Sequence, residues 1–492
     1  MKREALFPLL AGRAGILIIF FAAFVSAQQS FLYSVSYSTD SPARLKVSIS
    51  AAQPLKSPAA FVIPRAIPSG YGLQLYDRFV MNFRAYSPSG KALAVVRAED
   101  GPRWNVADAE NGVSKVVYEV DLDRLESEVL SAADQSIARS GYVGLLGYSV
   151  FGYIDGYQDH PINLNVNGPE DWPVFTTLAP KYLPDKGRAE ASAADFFELA
   201  DSQVLMGPDL EIFRLDTKPA SFIALYSETE TNFSQHSTVF ARAFEKVVNY
   251  FGDAPFDFYT AHIQILKPKS ELHRYGFSME HSKSGTFYLG LDRAYTKETP
   301  EAEFVRDELN FIHHIAHSWI PKKVYGKGYL PFTWELPPLI DTVWFNEGFA
   351  RFAMIEIRAD SMPADEGKAW RERYLSSLRE YVESQPAFIR DMPLQELSRI
   401  GSVMYSEDFR TGRTLFSKGA LMADEIDRLI RERTNGKKRL RDSLRAMVNW
   451  GVENKRPFAL EELPGLIAKP VGVKESDVRE VMERWLATGP GR

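Results

Sequence analysis

His313-His314-Ile315-Ala316-His317-Ser318-Trp319 is the stretch on which the reading of this chain turns. Three of the eight histidines fall inside it. The surrounding pattern predicts a helix from Glu301 to Trp319, with Thr299 as N-cap, Pro300 at the first position and Pro321 past the end. Residues four apart share one helix face, so His313 and His317 can reach a single ion. Neutral imidazoles at that spacing suit tetrahedral zinc. The chain has no cysteine, so any metal site must be built from His, Asp and Glu. Two histidines at this spacing are, by themselves, more often ordinary polar residues of a helix. A second motif reverses that balance. Trp344-Phe345-Asn346-Glu347-Gly348-Phe349-Ala350 sits on the next expected helix and offers Glu347 as third ligand, which leaves a fourth position open to water.

Outward from this centre the pattern changes twice. Before it, residues 29 to about 125 alternate with the strand period: Tyr33, Val35 and Tyr37 interleave with serines, Leu45, Val47 and Ile49 follow, and Val116, Tyr118, Val120 and Leu122 repeat the pattern. Helical spacing appears at Val239, Phe240, Ala243, Phe244, Val247, Val248 and Phe251, with Gly252 as C-cap. Strands are expected near 256–266 and 286–291, and beyond Pro300 the chain reads as almost wholly helical. The fold class is therefore α+β and multidomain. It comprises an N-terminal β-sandwich-like domain over 28–180, a catalytic-type domain with the zinc site over 181–365, and a C-terminal helical lobe over 366–492.

Residues 1–27 read as a signal peptide. Lys2, Arg3 and Arg13 precede the apolar run Ala14 to Val25, which ends in Val25-Ser26-Ala27. The expected location is periplasmic or secreted, in a bacterium, with no stable membrane span once the signal is cut. An uncleaved anchor is the alternative, although the run is short for a bilayer. The net charge of −6 comes without a basic stripe, which argues against nucleic acid as a partner. No signal of oligomeric state is visible.

The two motifs resemble those of the zinc aminopeptidases, and specifically the glycyl-aminopeptidase family of gluzincins, relatives of the aminopeptidase N family. His313, His317, Ser318 and Trp319 match that family's His-Glu-x-x-His-Ser-Trp segment, and Glu347-Gly348-Phe349 its Glu-Gly-Phe. Leu199-Ala200-Asp201-Ser202, Met206-Gly207, Pro68-Ser69-Gly70-Tyr71 and Trp172 agree with it as well. Phe277-Ser278-Met279-Glu280-His281 resembles the family loop whose glutamate meets the free amino end of a substrate. The resemblance implies a thermolysin-like catalytic-type domain, a Zn²⁺ cofactor, and peptide or protein N-termini as partners, with Glu280 as the substrate-binding anchor. Members of the family often carry a C-terminal PDZ domain, and no counterpart of it is expected after the helical lobe.

Two departures bear on activity. The family's general base is a glutamate directly after the first zinc-binding histidine; His314 stands there. Phe416-Ser417-Lys418-Gly419-Ala420 resembles the family's Tyr-x-Lys-Gly segment, whose tyrosine stabilises the oxyanion, and Phe416 lacks the hydroxyl. Losing a base typically costs about 10²–10⁴ in rate, and losing an oxyanion donor roughly 10²–10³. The expectation is an exported homologue that binds zinc and peptide N-termini but is impaired as a hydrolase. An active aminopeptidase with a non-standard base and a metal-free scaffold are the alternatives. Tyr405 carries a hydroxyl, but nothing in the sequence places it at the metal, and a loop or helix end is expected there.

Overall fold

The computed structural model describes residues 29–107, 111–273, 275–405 and 407–487. The expected signal peptide, 1–27, lies outside them. The alternating segments fold as read. Tyr33, Val35 and Tyr37 of strand Phe31–Tyr37 point inward, and Tyr33 and Val35 stand opposite Ile49 and Val47 of Arg44–Leu55. Val47 in turn faces Tyr118 of Val113–Asp121. These strands belong to a seven-stranded sheet. Two four-stranded sheets share its core, and cross-sheet aromatic pairs such as Phe61–Tyr118, 5.1 Å between centroids, fill it. Arg188–Ala193 pairs with Ile162–Asn167, and Gln203–Met206 with Tyr142–Leu146. Strand pairing thus carries the β-rich domain past residue 180 to Met206.

Next comes a five-stranded sheet in the order Glu211–Leu215, Ala220–Ser227, Phe258–Leu266, Ser284–Gly290, Phe277–Glu280. The central three strands are parallel and both edges antiparallel. Helix Phe233–Phe251 makes a crossover between parallel strands. Asn232 caps its start through the Gln235 N–H, and Gly252, at φ 91°, closes its end by donating to the Val248 carbonyl. The apolar stripe of this helix packs on Ile263, Phe287 and Phe311, which joins the sheet to the histidine helix.

That histidine helix runs Glu301–Ala316, with Pro300 rather than Thr299 at the N-cap. The Thr299 hydroxyl instead accepts from the Thr296 N–H. His317 is the C-cap, and turns continue to Lys323. Helix Val343–Asp360, which carries Glu347, is buried along most of its length by helices of the C-terminal lobe. Its closest neighbour is Phe409–Arg433, and the two backbones meet at their glycines. A Cβ on Gly348 would lie 2.4 Å from Gly419 Cα, and one on Gly419 2.2 Å from the Trp344 carbonyl oxygen. The Glu-Gly-Phe and Phe-Ser-Lys-Gly motifs are therefore one packing unit, and this contact places Phe416 and Glu347 in the lining of one cleft. Among the described residues no helix is long and apolar enough to cross a membrane.

Candidate metal centre and its cleft

His313, His317 and Glu347 converge. Nε2 of His313 lies 3.2 Å from Nε2 of His317, and Oε2 of Glu347 lies 3.4 Å from each nitrogen. Four tetrahedral ligands on bonds of about 2.0–2.1 Å would stand about 3.3 Å apart, so this triangle has the dimensions a zinc ion requires. The partners outside the triangle fix which atoms face inward. His317 Nδ1 donates to the Ile320 carbonyl at 2.9 Å, which leaves Nε2 for an ion. Tyr71 Oη, from the β-rich domain, donates to Glu347 Oε1 at 2.9 Å and leaves Oε2 free. Asn346 Nδ2 reaches the same phenol at 3.4 Å.

Electrostatics follow from burial and proximity. Burial pushes the His313 pKa down to about 3, so its imidazole is neutral as a metal ligand must be. Burial pushes His317 down as well, but Glu280 and Glu347 outweigh it and carry the pKa up to about 9. Burial opposes ionisation of Glu347, and the His317 and His313 rings overcome it and hold the carboxyl well below its usual range. The residues fit zinc. When bound, the ion would polarise a carbonyl and acidify a water molecule.

Around the triad lies a cleft of about 270 Å³, lined among others by Glu280, His313, His314, Glu347, Arg351, Tyr405 and Phe416. Glu280 ends the edge strand Phe277–Glu280, and His314 Nδ1 donates to its Oε2 at 3.2 Å. The residue at the base position is thus turned onto the residue at the amine-anchor position. Glu280 Oε1 is buried with no hydrogen-bond partner. A second cluster, Glu280 with His314 and His317, is a poorer metal site. His317 faces it with Nδ1, 4.0 Å from Glu280 Oε1 and already bonded to Ile320.

Phe416 is at the cleft wall, and Tyr405, the C-cap of helix Leu394–Met404, stacks on it with 5.4 Å between centroids and 26° between planes. Tyr405 does sit at a helix end, as expected, but that end is inside the cleft. Gly412 makes room for it, since a Cβ there would lie 1.8 Å from the tyrosine ring. Phe277 stacks on Phe409 at 5.2 Å, and both line the cleft, so the bulk of this loop faces the site. Sequence reasoning missed the part Tyr71 plays, although Pro68-Ser69-Gly70-Tyr71 had been noticed. It also missed Arg351, one turn beyond Glu347.

Comparison with known proteins agrees with the fold. Residues 32–208 match the Peptidase M61 N-terminal domain. Among solved structures, an aminopeptidase N family protein from Idiomarina loihiensis superposes with a TM-score of 0.78 at 18% identity, covering 92% of this chain and 75% of that one. An M1 zinc metallopeptidase from Deinococcus radiodurans gives 0.54 at 13% identity, covering 93% of each chain. Yeast LTA4 hydrolase gives 0.56 at 13%, covering 95% of this chain and 68% of that one. No curated protein matches the sequence. Residues 32–208 and the overall fold are thus similar to those of gluzincin aminopeptidases, the likeness the motifs implied. More particularly, a segment similar to the Peptidase M61 N-terminal domain is followed by a fold similar to that of the M1 zinc metallopeptidases.

Proposed function

We propose that this chain is an exported, zinc-binding aminopeptidase homologue that holds peptide N-termini but has lost most of its hydrolytic power. The observation that carries the reading is the contrast between the ligand triangle, with edges of 3.2 and 3.4 Å, and His314, whose Nδ1 is engaged by Glu280. The ligands fit an ion. The carboxylate that would take a proton from water is gone, and so is the hydroxyl at 416. Glu280 Oε1, still without a partner, is left to accept from a peptide ammonium. Losses of base and oxyanion donor do not simply multiply, but either alone makes a poor peptidase.

The test is to purify the chain from residue 28 without added metal, count zinc, and assay aminoacyl chromogenic substrates beside a His314→Glu, Phe416→Tyr double variant. The expected result is one zinc per chain and a near-silent parent, with a rate in the double variant higher by at least about 10². A parent that already matches the double variant would sink the reading. Export is checked by the mass of the cellular protein, which should begin after Ala27.

One observation favours a second reading, an active aminopeptidase. With Nδ1–H given to Glu280, a neutral His314 presents Nε2 as a base held in place by a carboxylate, an arrangement that orients catalytic imidazoles elsewhere. Zinc-dependent turnover by the parent, lost in His314→Ala, would establish it.

A further inference from the structure

The cleft contains a cation that neither the metal triad nor the peptide anchor uses. Arg351 follows Glu347 by one helical turn and borders the cleft. Its guanidinium lies 5.5 Å from the centre of the Phe416 ring. It also lines an adjoining groove of about 460 Å³, which shares Asn310 and His313 with the cleft. Among the described residues no carboxylate pairs with it. That sets it apart from other arginines of this region: Arg358, on the same helix, pairs with Glu308, Arg371 with Asp424 and Asp427, and Arg431 with Glu356 and Asp427. A guanidinium held over an aromatic ring still has N–H groups to donate, and they match a carboxylate in bidentate fashion.

The complementary charge lines the same cleft. Glu280 is 4% exposed and its Oε1 has no partner. A ligand with an ammonium at one end and a carboxylate at the other would satisfy both. Its length is set by the helix. Four residues separate Glu347 from Arg351, a rise of about 6 Å, and an extended peptide covers about 3.3–3.6 Å per residue. A carbonyl held at the triad thus lies within two residues of a carboxylate held at Arg351. The cavity volume of about 270 Å³ suits such a small ligand.

We propose that Arg351 captures the free C-terminal carboxylate of the ligand, so that the cleft takes dipeptides and tripeptides rather than the N-termini of proteins. This rests on the reading that Glu280 receives a peptide ammonium, and narrows it.

The test is calorimetric binding of Ala-Ala-Ala, its C-terminal amide and its N-acetyl form to the purified chain and to Arg351→Gln. Parent protein is expected to bind the free acid at least about 10-fold more tightly than the amide, the worth of a charge-assisted hydrogen bond. Arg351→Gln should bind acid and amide alike. Equal binding of acid and amide by the parent, with the acetylated peptide rejected, would overturn the Arg351 assignment while leaving the amine anchor intact. Binding of none of the three would overturn both. The acid-to-amide ratio of the parent decides the matter even where the variant folds poorly.

Discussion

His313 and His314 are neighbours in sequence and open into one cleft, yet they belong to regions that differ in kind. On the metal side the ligands converge: the His313, His317 and Glu347 ligand atoms lie at zinc-ligand spacing, Ile320 fixes the His317 imidazole and Tyr71 fixes the carboxylate. On the hydrolytic side the contacts have been redirected. His314 turns to Glu280, and Phe416 offers a ring where the family has a phenol. An ion imposes three simultaneous distances on its ligands. A base and an oxyanion donor are single groups, and the fold is indifferent to their loss. On the proposed reading, the same cleft keeps its ligand geometry while the groups at 314 and 416 change.

Removing a ligand should break that contrast most severely. Glu347→Ala and His313→Ala are expected to purify without zinc, whereas His314→Ala should retain it, as read by metal analysis after dialysis. Tyr71→Phe should fall between, with zinc affinity reduced about 10–100-fold, because it deletes only the hydrogen bond that orients the carboxylate. Full zinc retention in Glu347→Ala would mean that the ion, if any, sits elsewhere.

The hydrolytic side is sharpened through Tyr405. Its ring stacks on that of Phe416, and both Glu347 and Glu280 act on its hydroxyl, whose pKa burial and these carboxylates push up to about 12. It therefore stays protonated and able to donate. His314→Glu alone is expected to restore measurable turnover, and adding Tyr405→Phe should lower kcat about 10²–10³. Unchanged kcat in the double variant would show that the hydroxyl does not reach the substrate carbonyl.

A smaller effect tests the packing that holds the two regions together. Gly419→Ala or Gly348→Ala forces a methyl against backbone at 2.2–2.4 Å. Each should cost at least about 1–3 kcal/mol in denaturant unfolding and displace Phe416 from Glu347. A variant of parental stability would mean that the helices separate freely.

Much of this was legible in the sequence, for physical reasons. The i, i+4 histidines and the glutamate on the next helix are local patterns, and an ion admits few spacings, so the three residues that converge could be picked out from the sequence. The strand alternation of Tyr33, Val35 and Tyr37 is equally local. What escaped depends on residues distant in the chain. Tyr71 is 276 positions from Glu347, and only the docking of the β-rich domain onto the metal domain brings them together. Arg351 looks like any solvated helix residue until the missing carboxylate partner is seen. The β-rich domain extends past residue 180 because Arg188–Ala193 and Gln203–Met206 pair with strands far earlier in the chain. Periodicity carries no information about such partners.

The docking of these two domains makes the last prediction. His262, on the central strand Phe258–Leu266, is buried and meets Tyr142 Oη of the β-rich domain through Nε2; Tyr142 also stacks on Tyr226 at 4.0 Å. Burial and the nearby His281 depress the His262 pKa to about 3. The folded protein thus holds this ring neutral, while the unfolded chain protonates it near pH 6.5. Stability from this group is full above pH 6.5 and is lost as pH falls toward 3. Between pH 7 and pH 5 the loss is at most about 2 kcal/mol. In His262→Gln, which keeps a polar partner for Tyr142 but cannot titrate, the stability profile should be flatter over that interval by this amount. A variant whose profile runs parallel to the parent's would assign the acid sensitivity to another group, and would remove His262 as the titrating element of the contact between the β-rich domain and the metal domain.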